Sequence, residues 1–378
     1  MSVIAIVGMG GIGKTALTQF VYNDSKVKEH FNVEPWVCVS DEFGLFKIMK
    51  TILEKVTKSS SDTTDLDEIQ VTLKEKLAGK RFLFVLNDVW NKNYVQWEVL
   101  SNSFKSGVQG SKVIVTTREA DVALAMRAEV IRNLLNLLEE DCLSLFTKHA
   151  FPKGKADAYL QQEALGRQIV EKCGGLPLAI KTIGALLRSK LDVAEWDMIL
   201  KSELWDLPIE QINVMPVLRL SYKHLPSHVK WCFAYFSIFP KDYVFEKNQL
   251  ILLWMAEGFL QEQGNKTMEE TGDDYFQALM SRSLFQQLNN NKSCFVMHDL
   301  VNDLAKFVSG QCTIRLEGDC SYEIGNKTRH LSYVKTKFDS FKKFQPCHMA
   351  TQLRTFLPLE LLSIPSCHLS KKGFEVTA

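Results

Sequence analysis

The sequence has no apolar run approaching about 18 residues, so no helical membrane span is expected. It has no excess of charge of either sign. Lys and Arg total 45 and Asp and Glu 44, a formal net charge of +1. The totals therefore give no argument for nucleic acid or a membrane surface as a partner. No C-x-x-C pair occurs among the nine cysteines, at 38, 142, 173, 232, 294, 312, 320, 347 and 367. Most lie inside apolar segments and read as buried free thiols in a reducing compartment, so a cytoplasmic location is expected. No secretory signal is evident, because Ile4 to Val7 is too short for a signal core. No nucleophile–base set carries the strained-turn signature of a hydrolase. His224 and His228 sit four apart, but Pro226 lies between them and no third ligand is evident, so no metal site is expected there.

What is present is ordinary globular composition with one informative stretch. Hydrophobic residues make up 46% and charged residues 24% of 378, enough chain for two or three domains. Gly8-Met9-Gly10-Gly11-Ile12-Gly13-Lys14-Thr15 fits G-x-x-x-x-G-K-[ST] without a mismatch. The apolar run Val3 to Val7 before it reads as a buried parallel strand. Ala16 to Tyr22 after it reads as a helix. A loop poor in side chains lets backbone N–H groups surround phosphate oxygens, and the helix N-terminus adds partial positive charge. Lys14 reaches the outer phosphates, and the Thr15 hydroxyl is a Mg²⁺ ligand.

To about residue 135 the chain alternates strands and helices. Val33 to Ser40, Arg81 to Leu86 and Lys112 to Thr116 read as strands, and Leu45 to Lys58 reads as a helix. Asp65 is expected to cap the next helix, with Glu68 in a capping box and Gly79 ending it. This predicts an α/β domain over 1–135, a parallel sheet flanked by helices. A small helical domain follows over 136–205, with helices at Glu139 to Ala150, Ala156 to Cys173 and Pro177 to Ser189. Over 206–310, helices at Val214 to Tyr222, Pro226 to Phe239 and Lys247 to Leu260 precede an alternating hairpin, Ser283 to Leu288 and Ser293 to His298. Asn289-Asn290-Asn291-Lys292 makes its turn, and Asp299 is expected to cap the helix Leu300 to Ser309. The pattern is that of a winged-helix module. Over 311–378, two short strands at 329–333 and 353–357 suggest a linker leading toward leucine-rich repeats, though one leucine-rich pair is not a demonstrated repeat. The open ends of this pattern read as those of a fragment or partial gene product.

The strand Arg81 to Leu86 leads to Asn87-Asp88-Val89-Trp90. A carboxylate there, Asp88, holds Mg²⁺ opposite Thr15 and is the candidate catalytic acid. The strand at Lys112 leads to Arg118, which at a strand end facing phosphates can neutralise the third one; read alone it is a surface arginine. A lone His298 between a strand and a helix is by itself more often structural than a ligand.

Together these segments closely resemble the NB-ARC domain of plant intracellular immune receptors, in the coiled-coil class of nucleotide-binding leucine-rich-repeat proteins. The resemblance covers about residues 2 to 310. It rests on Gly8 to Thr15, Phe31 to Phe43, Leu83 to Trp90, Gly110 to Arg118, Leu134 to Phe151, Cys173 to Leu178, Cys232 to Pro240 and Met297-His298-Asp299. It implies a P-loop ATPase fold of the STAND class and a switch, closed with ADP and open with ATP, that acts in defence against pathogens. By the same resemblance Gly10, Gly11, Ile12, Gly13, Lys14, Thr15 and Ala16 hold the nucleotide. Thr15, Asn87 and Asp88 hold Mg²⁺, and Arg118 senses the third phosphate. Pro177 and Leu178 lie near the adenine, and His298 contacts the second phosphate of ADP. The implied partners are the receptor's own coiled-coil and leucine-rich-repeat domains, a pathogen effector or guarded host protein, and further copies in an ATP-bound oligomer. One departure concerns the metal: Asn87 stands where the family has an aspartate, which implies weak hydrolysis at most. The other expectation left open is a nucleotide-gated ATPase or winged-helix transcription regulator. DNA binding is disfavoured, because Leu250 to Met255 presents an apolar face rather than lysines and arginines.

Overall fold

The computed structural model describes residues 1–39, 44–151, 160–190, 192–206, 215–261, 265–288, 293–316, 324–334, 344, 347 and 349–359. The chain divides into two compact units, Met1–Asn136 and Leu137–Ala378. Ser40 to Phe43, the helix start at 156–159, Val214 and the hairpin turn Asn289 to Lys292 lie outside the described residues.

The first unit runs β1 (Ser2–Val7), α1 (Lys14–Asn23), α2 (Ser25–His30), β2 (Trp36–Cys38), α3 (Leu45–Thr57), α4 (Leu66–Leu77), β3 (Leu83–Asn87), α5 (Tyr94–Phe104), β4 (Lys112–Thr117), α6 (Ala120–Ala125) and β5 (Val130–Asn133). The sheet is parallel in the order β2-β3-β4-β1-β5. All five residues of β3 are buried, as a continuous apolar run in a sheet covered on both faces requires. Ile48, Met49, Ile52, Leu73 and Trp97 from α3, α4 and α5 pack on one face against Phe84, Leu86 and Val115. Val21 and Tyr22 of α1 pack on the other against Ile6, Val85 and Ile114.

Two details differ from the reading of the sequence. The Asp65 carboxylate accepts the Asp67 N–H at 3.0 Å and caps α4, but Glu68 accepts a hydrogen bond from the Thr63 hydroxyl. A nearby hydroxyl therefore replaces the capping-box partner. Strand β5 was not foreseen, because all four of its residues are exposed at the sheet edge and carry no buried alternation.

The second unit begins with α7 (Glu139–Ala150), α8 (Leu160–Lys172), α9 (Pro177–Leu187) and α10 (Val193–Leu200). Every residue of α9 except Pro177 and Lys181 is buried. Gly184 allows that packing: a Cβ there would lie 2.9 Å from His149 Cβ on α7. There follow α11 (Pro216–Lys223), α12 (Ser227–Tyr235), a 3-10 turn Phe236–Ile238, β6 (Phe245–Glu246), α13 (Lys247–Ala256), α14 (Met268–Met280), β7 (Gln286–Gln287), β8 (Cys294–Val296) and α15 (Asp299–Ser309). The expected helices at Pro226 and Lys247 thus end earlier, at Tyr235 and Ala256. The expected hairpin is present as β7 and β8, and β6 joins it in the antiparallel order β6-β8-β7. Phe236 and Phe276 pack edge-on against Phe285 and Phe295, each at 4.7 Å between centroids. Helix α14 was unforeseen, although it carries a capping box: the Thr267 hydroxyl accepts from Glu270 N–H and the Glu270 carboxylate from Thr267 N–H. Among the described residues no helix is long and apolar enough to cross a membrane.

The unit closes with β9 (Thr313–Leu316), β10 (His330–Val334) and β11 (Thr355–Leu359), parallel in the order β11-β10-β9. The sequence reading anticipates the second and third of these and misses the first. Behind them Thr355 donates its hydroxyl proton to Glu257, at the end of α13. His330 Nδ1 lies 2.8 Å from Thr355 Oγ1 and 3.4 Å from Glu257 Oε2. Since that hydroxyl proton is already committed, Nδ1–H is the donor to Thr355. Burial lowers the His330 pKa below its usual 6.5; Glu257 opposes this, and Arg354 and Arg329 add to it. The unfolded chain therefore takes up the proton first, and stability falls as pH drops below about 6.5 toward the lower folded value. His330→Gln should flatten that part of the profile, measured as thermal midpoint against pH for variant and wild type.

Candidate functional site

The sheet order places the C-terminal ends of β3, β4 and β1 side by side, where parallel sheets carry their ligand sites. Strand β1 leaves the sheet at Gly8, whose N–H donates to Thr117 O at 3.2 Å. Gly11 and Gly13 adopt φ of 79° and 102°, a region side chains disfavour, so the turn demands glycine. Gly13 then starts α1. Ile12 is buried and pins the loop to the core, while Thr15 and Ala16 stand exposed on the first helical turn. Lys14 is 7% exposed, and its ammonium donates to the carbonyls of Gly8 at 2.8 Å and Met9 at 3.0 Å.

Asn87 ends β3 and is buried, 5% exposed. Its Oδ1 accepts from Thr15 Oγ1 at 3.1 Å and from Thr116 Oγ1 at 3.0 Å. The Thr116 hydroxyl in turn accepts the Asp88 N–H at 2.8 Å, so its own proton faces Asn87 and fixes that oxygen as the acceptor. Asp88 sits at φ 54°, and Val89 N–H returns to Thr116 O at 2.8 Å. This left-handed step sends the Asp88 carboxylate sideways. Its Oδ2 accepts from Trp90 Nε1 at 3.1 Å and lies 3.8 Å from Arg118 Nη2. The Arg118 guanidinium lies 4.5 Å over the Trp90 ring, and its buried Nε has no hydrogen-bond partner among the described residues. An unmet buried donor costs about 1–3 kcal/mol, so this arginine has capacity for another acceptor.

The loop suits phosphate: backbone donors, an ammonium and a helix start converge. The metal set is poorer. Thr15 and Asn87 bring neutral oxygens together, which hold Mg²⁺ less firmly than a carboxylate. Asp88, expected among the ligands, is turned toward Trp90 and Arg118. Gly10 lies in the same loop. Pro177, Leu178 and His298 belong to the second unit. Pro177 opens α9, and Leu178 is buried in its first turn. His298, not Asp299, caps α15: its Nδ1 accepts Leu300 N–H at 3.2 Å, while Asp299 is already helical. Its backbone is extended and so leaves the ring able to turn back over the helix start. In the neutral ring the proton is then on Nε2. Thr116 was missed in the sequence, although a threonine pair ending the apolar run Val113-Ile114-Val115 was a visible signal.

A phosphate loop between a parallel strand and a helix, its threonine bonded to the end of another strand, defines a P-loop NTPase domain. Residues 1–156 match the model of the NB-ARC domain, and residues 238–305 match that of the disease resistance protein winged helix domain. The chain belongs to the NB-ARC family of plant disease resistance proteins. It is 46% identical over 377 residues to the disease resistance RPP13-like protein 1 of Arabidopsis thaliana, covering 98% of this chain and 35% of the relative. It is 42% identical over 308 residues to disease resistance protein RGA2 of Solanum bulbocastanum, covering 81% of this chain and 32% of the relative. The chain thus spans about a third of the length of these relatives.

Thr116→Val keeps shape and removes both hydrogen bonds. It should destabilise the first unit by about 1–3 kcal/mol, read from denaturant unfolding.

Proposed function

We propose that the chain is the adenine-nucleotide switch of a plant intracellular immune receptor, off with ADP and on with ATP. The observation that carries this reading is the Lys14, Thr15, Asn87 and Arg118 set at the C-terminal ends of the central strands. The loop N–H groups and Lys14 bind the phosphates. Arg118 answers the third phosphate, which distinguishes the two nucleotides. Pro177 and Leu178 pack near the adenine, and His298 donates to the second phosphate from its helix start. Contact made with one nucleotide state and lost in the other is what a ligand switch requires. Mg²⁺, when bound at Thr15 and Asn87, screens phosphate charge. Residues 1–135, 136–205 and 206–310 act as nucleotide-binding, helical and winged-helix parts, and 311–378 leads toward leucine-rich repeats. The remaining partners are the receptor's coiled-coil and leucine-rich-repeat domains, an effector or guarded host protein, and further copies when ATP is bound, all in the cytoplasm. The transcription-regulator reading is weaker, since α13 buries Leu250, Ile251 and Trp254, and Lys247 pairs with Asp273 at 2.5 Å.

The direct experiment is to purify the chain gently, denature it and identify released nucleotide by chromatography. About one ADP per chain is expected, with at least tenfold less from Lys14→Ala, a loss of about 1.4 kcal/mol or more. A wild-type protein that carries no nucleotide and takes up neither ADP nor ATP overturns the reading. Turnover of ATP should be slow. Asn87→Asp keeps the acceptor and adds a charged metal ligand, so hydrolysis should rise on the order of tenfold, about 1.4 kcal/mol of barrier; unchanged turnover would show that Asn87 is not the limit.

A further inference from the structure

Trp90 and Asp88 form with Arg118 a small closed set. One indole both donates to the Asp88 carboxylate at 3.1 Å and carries the Arg118 guanidinium on its face at 4.5 Å. The carboxylate lies 3.8 Å from the same guanidinium. Three groups thus share two attractions around one cation, and the cation keeps a buried Nε without an acceptor among the described residues. Asp88 is held there by an unusual left-handed backbone, tied down by Thr116. The carboxylate is a resting counter-ion. A third phosphate is a stronger, multiply charged acceptor for the same fork.

We propose that Trp90 and Asp88 park Arg118, and that the third phosphate of ATP wins it from them, so that Trp90 sets how strongly the site prefers ATP over ADP. This rests on the reading of the loop as an adenine-nucleotide site. Trp90 is a positioning residue: it acts on the nucleotide only through Arg118. Its effect has a distinctive sign. A residue that merely supports the fold weakens both nucleotides when removed. A parking residue opposes ATP, so its removal shifts preference toward ATP.

The test uses the whole chain, ADP and a non-hydrolysable ATP analogue, with affinity and tryptophan emission read together. The sequence has seven tryptophans, so Trp90 emission is taken as the difference between wild type and Trp90→Phe. The ATP analogue should change that emission as the guanidinium leaves the ring, ADP should not, and Arg118→Ala should abolish the change. Trp90→Ala should move the affinity ratio toward the ATP analogue by about three- to tenfold, the scale of a partly buried cation–π contact. Trp90→Phe keeps a ring face and should move it by less than about twofold. Equal emission changes with both nucleotides, or an unmoved ratio in Trp90→Ala, overturn the parking role while leaving the nucleotide site intact. If Trp90→Ala does not fold, the Arg118→Ala emission result decides alone. A wild-type chain that binds neither nucleotide overturns the underlying reading, and this proposal with it.

Discussion

One amide oxygen ties the site together. Asn87 Oδ1 accepts from Thr15 on the first helix and from Thr116 on the neighbouring strand, and it is buried. Three chain segments far apart in sequence meet at that atom. The apolar sheet brings their strands into order, but it does not fix where their polar ends point. The oxygen does. The turn at Asp88 follows from it, because Thr116 spends its donor on Asn87 and its lone pair on the Asp88 N–H. The direction of the Asp88 carboxylate, and hence the place of Arg118, follow in turn.

An amide at this position has two consequences that pull apart. As a hydrogen-bond acceptor it meets both hydroxyls without the penalty of burying charge. As a metal ligand it serves less well. In the switch proposed above, that combination favours holding a nucleotide over consuming it.

Much of this was legible in the sequence, for identifiable reasons. The phosphate loop is a local pattern, and Gly11 and Gly13 take the left-handed backbone that only their residue type makes cheap. The buried strands are continuous apolar runs, so β1, β3 and β4 could be read directly. Edge strand β5 buries nothing and left no trace. Helix α14 did leave one, since Thr267 and Glu270 stand at capping-box spacing, but its acidic first turn hid the buried Tyr275, Phe276 and Leu279. The cap of α15 shows a limit of residue preference: Asp299 is the better cap by type, yet the helix starts one residue earlier and His298 takes the position. The meeting of Thr116 with Asn87 depends on strand order, which no local pattern encodes.

The inward set of Lys14 gives phosphate recognition a particular character. Its ammonium already has a shell of loop carbonyls, from Gly8 and Met9. Two of its three donors are engaged in this way, so a phosphate bound as proposed competes with Gly8 and Met9 for this nitrogen. Whatever those carbonyls already give the ammonium is subtracted from what a phosphate could gain there. On the proposed reading, the loop is both the cradle of the phosphates and their competitor at this one nitrogen.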